Sequence, residues 1–264
     1  MKRVLIVGAH SYVARSFLDL YHNNFDCGSI SVRDEAWRGL DLSCYDAVLW
    51  CAAIVHQKQR KEDGERYFAV NRDLPVAFAR KAAQAGVRQF VFLSTMAVYG
   101  LDEGAVEPGR EPAPRADDFY ARSKWEAEQG LRAMEDKSFR VTVLRPPMVT
   151  GAGAPGNYAR LVKLARSLPL FPDYPNARSV CPVDVLCAEI ARVLEAAEET
   201  PAGSEARVYP VVSTADLARE IASKQNRPIR FTKAFNLLIR CLIPRSRALR
   251  KAFGTLYYRT FPGD

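Results

Sequence analysis

The sequence predicts an α/β protein, a doubly wound parallel sheet joined to a small C-terminal substrate-binding lobe. Three observations carry that expectation. Short apolar runs alternate with stretches of helical spacing from residue 3 to residue 144. The runs are continuously apolar (VLIV, AVLW, FVFL), as strands covered on both faces are. From Pro146 the texture changes to Gly- and Pro-rich loops, RPPMVTGAGAPG and LPLFPDYPN, between shorter periodic segments.

Taken in order, Arg3–Val7 reads as the first strand, and Gly8 to Ala14 as a turn into a helix over Ala14–Tyr21. Ile30–Val32 is expected as a short second strand ending at Arg33-Asp34, and Tyr45–Ala53 as the third. Phe68, Val70, Leu74, Phe78 and Ala82 predict one helix over Tyr67–Ala85, closed by Gly86. Gln89–Ser94 is a buried strand running into hydroxyls, followed by a helix from Tyr120 to about Glu135 and a strand over Arg140–Leu144. Beyond it, Leu186–Ala197 reads as a helix and Arg207–Val212 as a strand. Thr214–Ser223 reads as a helix capped by Ser213 or Thr214. Residues 1–149 with about 183–197 form the sheet domain, and 150–182 with 200–264 the small lobe.

The 264 residues, 48% hydrophobic and 26% charged, suit an ordinary globular protein with a sizeable core. The four-residue apolar run before Gly8 is a strand, too short for a signal peptide, and no stretch approaches the ~20 apolar residues of a membrane span. Six cysteines without a Cys-x-x-Cys pair or a histidine at ligand spacing imply reduced thiols, a cytoplasmic location and no metal site. The formal charge of +8 is concentrated: residues 224–264 hold ten Lys/Arg and one acid, and the remainder 28 basic and 29 acidic residues. That distribution excludes a general nucleic-acid surface and assigns any electrostatic partner to the C-terminal segment.

The chemistry gathers around residues 89–124. Tyr120 and Lys124 stand four apart at a helix start, on one face, after a strand ending Ser94-Thr95. A phenol becomes a base only when its pKa falls, which a neighbouring ammonium favours, so the arrangement points to proton transfer. At the first turn, Gly8 keeps the glycine of a dinucleotide-type fingerprint, while Ser11 and Ala14 fill the later small positions. Gly8, Ser11, Tyr12 and Val13 would bring backbone to a phosphate at a helix N-terminus; an empty βα turn is the alternative. After the second strand, Arg33 would suit the 2′-phosphate of NADP, Asp34 the ribose hydroxyls of NAD, and a solvated turn pair would need neither. Asp41 and Leu42 could border the adenine, or Asp41 could cap a helix. His10, His22 and His56 have no acid–base partner in the pattern, although His56 could border the pocket.

Four segments in order, LSTMAVYG, YARSK, RPPMVTGAG and ARSVCPVDVL, resemble the extended short-chain dehydrogenases/reductases of the NAD-dependent epimerase/dehydratase type. The resemblance runs to about residue 195. It implies a Rossmann-type domain with bound NAD or NADP, NAD being favoured by the family and NADP by Arg33. It also implies a small lobe holding a nucleotide diphosphate-sugar. Position by position, Thr95 takes the place of the catalytic Ser/Thr, Tyr120 that of the base and Lys124 that of its partner. Ala52, Ala53, Asn71, Ser94 and Pro146 fall at cofactor positions, Asn157 and Arg178 at substrate positions. Ser11 and Ala14 depart from the family glycines, Thr150 from its usual Tyr, and Pro182 from a His or Tyr. The activity so implied is nucleotide-sugar epimerisation through a transient keto-sugar, with NADPH-dependent reduction of a keto nucleotide sugar as the rival. A non-catalytic dinucleotide-binding protein, consistent with the reduced glycine turn, is the reading from another class. A homodimer is a family expectation. The C-terminal segment KAFNLLIRCLIPRSRALRKAFGTLYYRTF could lie on an anionic membrane; packing on the small lobe, arginines outward, is the preferred expectation.

Overall fold

The computed structural model describes residues 1–55, 61–196 and 209–259. These form two compact units. One holds the chain up to Gly100, Pro112–Pro146 and the segment from Pro182 to the last helix before residue 197. The other holds Leu101–Glu111, Pro147–Cys181 and the described residues from 209 onward.

In the first unit, strands β1 (Arg3–Val7), β2 (Asp26–Ile30), β3 (Ala47–Trp50), β4 (Gln89–Leu93) and β5 (Arg140–Leu144) form one parallel sheet in the order β2-β1-β3-β4-β5. Helices α1 (Tyr12–Tyr21), α2 (Leu74–Gln84), α3 (Phe119–Arg132) and α4 (Val183–Glu195) cover it. Alternate residues go to opposite faces. Leu5, Val7, Val48, Trp50, Phe90 and Phe92 meet Phe78, Ala82, Ala127 and Leu131 of α2 and α3 in one core layer. The intervening residues Val4, Ile6, Leu49 and Val91 are equally buried on the other face, where α1 and α4 pack together. Burial on both sides is why these strands read as unbroken apolar runs. Chain order reverses between β1 and β3, which defines the switch point where such sheets take ligands. The registers Val7↔Trp50, Trp50↔Phe92 and Leu93↔Leu144 align the carboxyl ends, so Gly8, Cys51, Ser94 and Arg145 leave the sheet along one edge.

Two expectations are corrected here. The second strand is Asp26–Ile30 rather than Ile30–Val32. Its sequence DCGSI carries little apolar signal because it is the outermost strand and only partly buried. The expected single helix over Tyr67–Ala85 is interrupted: α-helix over Gly64–Phe68, a π-helical turn over Ala69–Asp73, then α2. The wide turn rotates Asn71 inward, where it is fully buried, while Val70 stays half-exposed.

The second unit has its own sheet. Leu256–Tyr258 lies parallel between Gly104–Val106 and Arg178, and Val211–Val212 pairs antiparallel with Arg178-Ser179. Among the described residues, only Val211–Val212 of the strand expected over 207–212 is assigned. Ser213 caps the helix Thr214–Lys224 in a capping box with Asp216, as one of the two expected caps. Phe171 packs against Phe231 and Phe253, and buried Asn176 bonds Thr214 and Gly254, tying the strands to that helix.

Candidate active site

β4 delivers Ser94 and Thr95 to the carboxyl edge of the sheet. The backbone then bends: the Ser94 N–H donates to the Leu144 carbonyl (2.7 Å) and Met96 N–H to that of Pro146 (3.0 Å). Thr95 is the N-cap of a 3-10 turn over Met96–Tyr99, its hydroxyl accepting from the Ala97 N–H at 3.2 Å. The same hydroxyl lies close to the phenol of Tyr120, which enters from the first turn of α3, and favours its ionised form. Asp118 caps that helix by accepting from the Ala121 N–H (3.0 Å), which fixes the turn that carries Tyr120. The two groups expected to share a substrate oxygen therefore stand close enough to influence each other.

Lys124, one turn further along α3, is 2% exposed. Its ammonium donates to the Leu93 carbonyl at 2.6 Å and lies 4.3 Å from the centre of the Phe92 ring. Burial pulls its pKa down to about 8, against the opposing pull of Cys51 and Glu128. The expected depression of the Tyr120 phenol by Lys124 is not what this arrangement produces. Desolvation raises the phenol to about 12, with the Thr95 hydroxyl working against it and Asp118 and Tyr67 with it. The ammonium is directed at the end of β4, so the residues here hold Tyr120 protonated.

Beneath this pair lies a buried cluster that the sequence reading passed over. Glu128, fully buried, accepts from the Ser94 hydroxyl and forms a two-pronged pair with Arg145, Nη2 to Oε2 at 2.5 Å and Nε to Oε2 at 3.0 Å. Arg145 also donates to the Tyr99 hydroxyl at 2.9 Å and faces the Trp125 ring. The cluster ties α3, β4 and the exit of β5 together under Thr95. A signal existed: Tyr120, Lys124 and Glu128 repeat every four residues, and Arg145 opens the quoted RPP segment.

At the switch point, Gly8 has φ +95°, and a Cβ there would lie 2.6 Å from the Ala52 nitrogen. Only glycine fits. Ser11 caps α1 by accepting from the Ala14 N–H (3.1 Å) and lies near the buried Cys51 thiol, which burial pushes up to about 12. Tyr12 and Val13 form the first turn of α1, which carries no acid. Small residues at Ser11, Ala14, Ala52 and Ala53, a helix N-terminus without negative charge and a glycine held tight against β3 fit a dinucleotide diphosphate.

Asn71 accepts from the Ile54 N–H (2.8 Å) and donates to the Ile54 carbonyl (3.1 Å) and the Ser123 hydroxyl (3.3 Å). Its amide thus shapes the chain leaving β3. Asp34 caps the 3-10 turn Glu35–Gly39 by accepting from the Ala36 N–H, while Arg33 is exposed beside it. Asp41 accepts from the Ser43 N–H, which lowers its pKa, and Leu42 is buried in the core layer. Pro146 is buried, its carbonyl accepting from the Met96 N–H. His56 lies outside the described residues.

In the second unit, half-buried Arg178 donates to the Gly254 carbonyl at 2.8 Å; burial lowers its pKa, with Glu103 opposing. Asn157 is exposed at the first position of the helix Asn157–Ser167, behind Gly156 at φ +75°.

A parallel doubly wound sheet with a glycine turn at its switch point has the architecture of dinucleotide-binding domains. The chain belongs to the NAD-dependent epimerase/dehydratase family, whose sequence model matches residues 4–211. It is 31% identical over 214 residues to a UDP-glucose 4-epimerase of Vibrio cholerae, covering 77% of this chain and 64% of that enzyme. The chain thus spans less than two thirds of that relative's length. The fold is also that of UDP-glucuronic acid 4-epimerase from Bacillus cereus in complex with NAD (TM-score 0.73, 16% identity, 97% of this chain and 89% of that one). dTDP-4-dehydrorhamnose reductase from Bacillus anthracis in complex with NADP is a further neighbour (TM-score 0.68, 18% identity, 88% and 83%). The family's cofactor is NAD or NADP.

Proposed function

We propose that the protein is an NAD(P)-dependent nucleotide-sugar epimerase acting through a transient keto-sugar. The observation that carries this reading is the gathering of Thr95 at the carboxyl end of β4 with the buried Tyr120 phenol and, one helical turn away, buried Lys124, whose ammonium donates to the Leu93 carbonyl at the end of the same strand. Bound nicotinamide would supply a hydride acceptor and, when oxidised, a positive charge that lowers the phenol's pKa. Tyr120 takes the proton of a sugar hydroxyl while Thr95 hydrogen-bonds the same oxygen. Once the keto-sugar has turned over and regained its hydride on the other face, Tyr120 returns the proton. Its high pKa in the present arrangement suits that second step and makes the first depend on added positive charge. Arg178 would grip the substrate diphosphate and Asn157 the nucleotide side. In this reading the sheet unit takes the dinucleotide and the second unit the sugar substrate.

Removing a general base commonly lowers turnover ~10²–10⁴-fold, so Tyr120→Phe should lose that much epimerisation of a UDP-hexose panel while keeping NAD(H) affinity. Turnover near wild type would sink the mechanism. A second reading, reduction of a keto nucleotide sugar with NADPH, draws on exposed Arg33 beside an Asp34 engaged as a cap. Mass spectrometry of the purified protein and NADPH consumption separate the two. Co-purified NAD(H) supports the epimerase; stoichiometric NADPH oxidation supports the reductase.

A further inference from the structure

The described residues after Ser223 are charged in one sense only: residues 224–259 contain ten Lys/Arg and no acid. Within them, the helix Asn236–Leu242 runs into a 3-10 turn, Ile243–Arg245, and a second helix, Arg247–Phe253. Ile239 and Ile243 are buried and anchor the segment, the packing expected from its apolar spacing. That packing accounts for only part of the apolar surface. Phe235, Leu238 and Leu242, at i, i+3 and i+7, are 41%, 58% and 38% exposed, and neighbouring Leu237 is 74% exposed. Scattered exposed leucines are ordinary, but a stripe of three large apolar side chains with a fourth beside it on one short helix is not.

We infer that this face docks the protein peripherally on an anionic membrane surface. Arg240 and Arg245 are exposed on the same short stretch as the leucines, the mixture an interfacial helix uses. Leucines enter the acyl boundary while guanidinium groups extend back to headgroup phosphates. A second copy of the chain would present the same cations to each other with no acid in the segment to pair them. A nucleic acid would offer phosphates but leave the aliphatic row wet, since strand binding relies on aromatic stacking. Among the described residues no helix is long and apolar enough to cross a membrane, so the mode is lying on the surface, not spanning it. The inference rests on this face alone and is independent of the reaction proposed above.

The test is co-sedimentation of the full chain with vesicles of phosphatidylglycerol and phosphatidylcholine, against pure phosphatidylcholine. Binding is expected only to the former and should weaken with salt. Arg240→Gln with Arg245→Gln should reduce partitioning about 25-fold, at about fivefold per cation. Leu237→Ser with Leu238→Ser should reduce it about tenfold or more. Circular dichroism should show both variants folded, the replaced groups being exposed. Equal binding to both vesicle types, no binding to either, or leucine variants that bind like wild type would overturn the inference. So would a dimer, seen by sedimentation velocity without lipid, that the leucine substitutions dissolve.

Discussion

Glu128→Ala is the sharpest test of how the edge of the sheet is held. The carboxylate is fully buried and meets a guanidinium that is itself only 9% exposed, through two nitrogens at 2.5 and 3.0 Å. Truncation leaves a buried cation without its carboxylate and the Ser94 hydroxyl without its acceptor. Breaking one side of a buried pair costs about 3–5 kcal/mol, which in a chain of this size lowers Tm by roughly 10 °C. The Arg145→Met variant should lose a similar amount. The double variant Glu128→Ala/Arg145→Met removes both charges and should be more stable than either single one, a coupling of at least about 2 kcal/mol. Thermal melts of the four proteins in one buffer provide the cycle. Singles within about 1 kcal/mol of wild type, or a double variant equal to the sum of the singles, would refute the reasoning.

Three further outcomes follow from the same edge. Lys124 has a folded-state pKa near 8, below the ordinary lysine value of 10.5, so the unfolded chain holds more protons between those limits. Wild type should therefore gain stability relative to Lys124→Met as pH rises from about 8 to 10, read by urea unfolding at each pH; a constant difference would contradict the burial of a charged amine. Gly8→Ala places a methyl group against the Ala52 backbone at φ +95° and should cost at least about 2 kcal/mol together with NAD(H) affinity, measured by melts and calorimetry. Asn71→Ala strands the buried polar groups of Ile54, costing about 2–3 kcal/mol and speeding exchange of the Ile54 amide; unchanged exchange would mean the side chain does not hold that loop.

Strands β1, β3, β4 and β5 were legible because both their faces are covered, which writes burial into every position. β2 was displaced because an outer strand needs few apolar residues, and DCGSI has only Ile30 and Cys27 to show. The π turn was invisible: Phe68, Leu74 and Phe78 keep plausible helical spacing whether or not one turn is widened, and only the inward Asn71 betrays it. At the site, the motif singled out Thr95, Tyr120 and Lys124, which stand at the end of β4 and in the first turns of α3. It could not tell that the ammonium would turn to the Leu93 carbonyl, because spacing fixes the helix face and not the rotamer. Glu128 and Arg145 were missed because, although Glu128 continues the Tyr120–Lys124 spacing, nothing local pairs it with an arginine 17 residues further on.

The strand Leu256–Tyr258 has a bearing on biosynthesis. It is an interior strand of its sheet, hydrogen-bonded to Gly104–Val106 on one side and to Arg178 on the other. Residues 104–106 must therefore wait for residues 256–258 to leave the ribosome before their pairing is complete. The parallel sheet of the first unit has no such dependence, because its final strand ends at Leu144. The second unit should consequently be the later to form during translation. A nascent chain stalled before residue 256 would carry one finished sheet and one open edge, a species for chaperones to recognise.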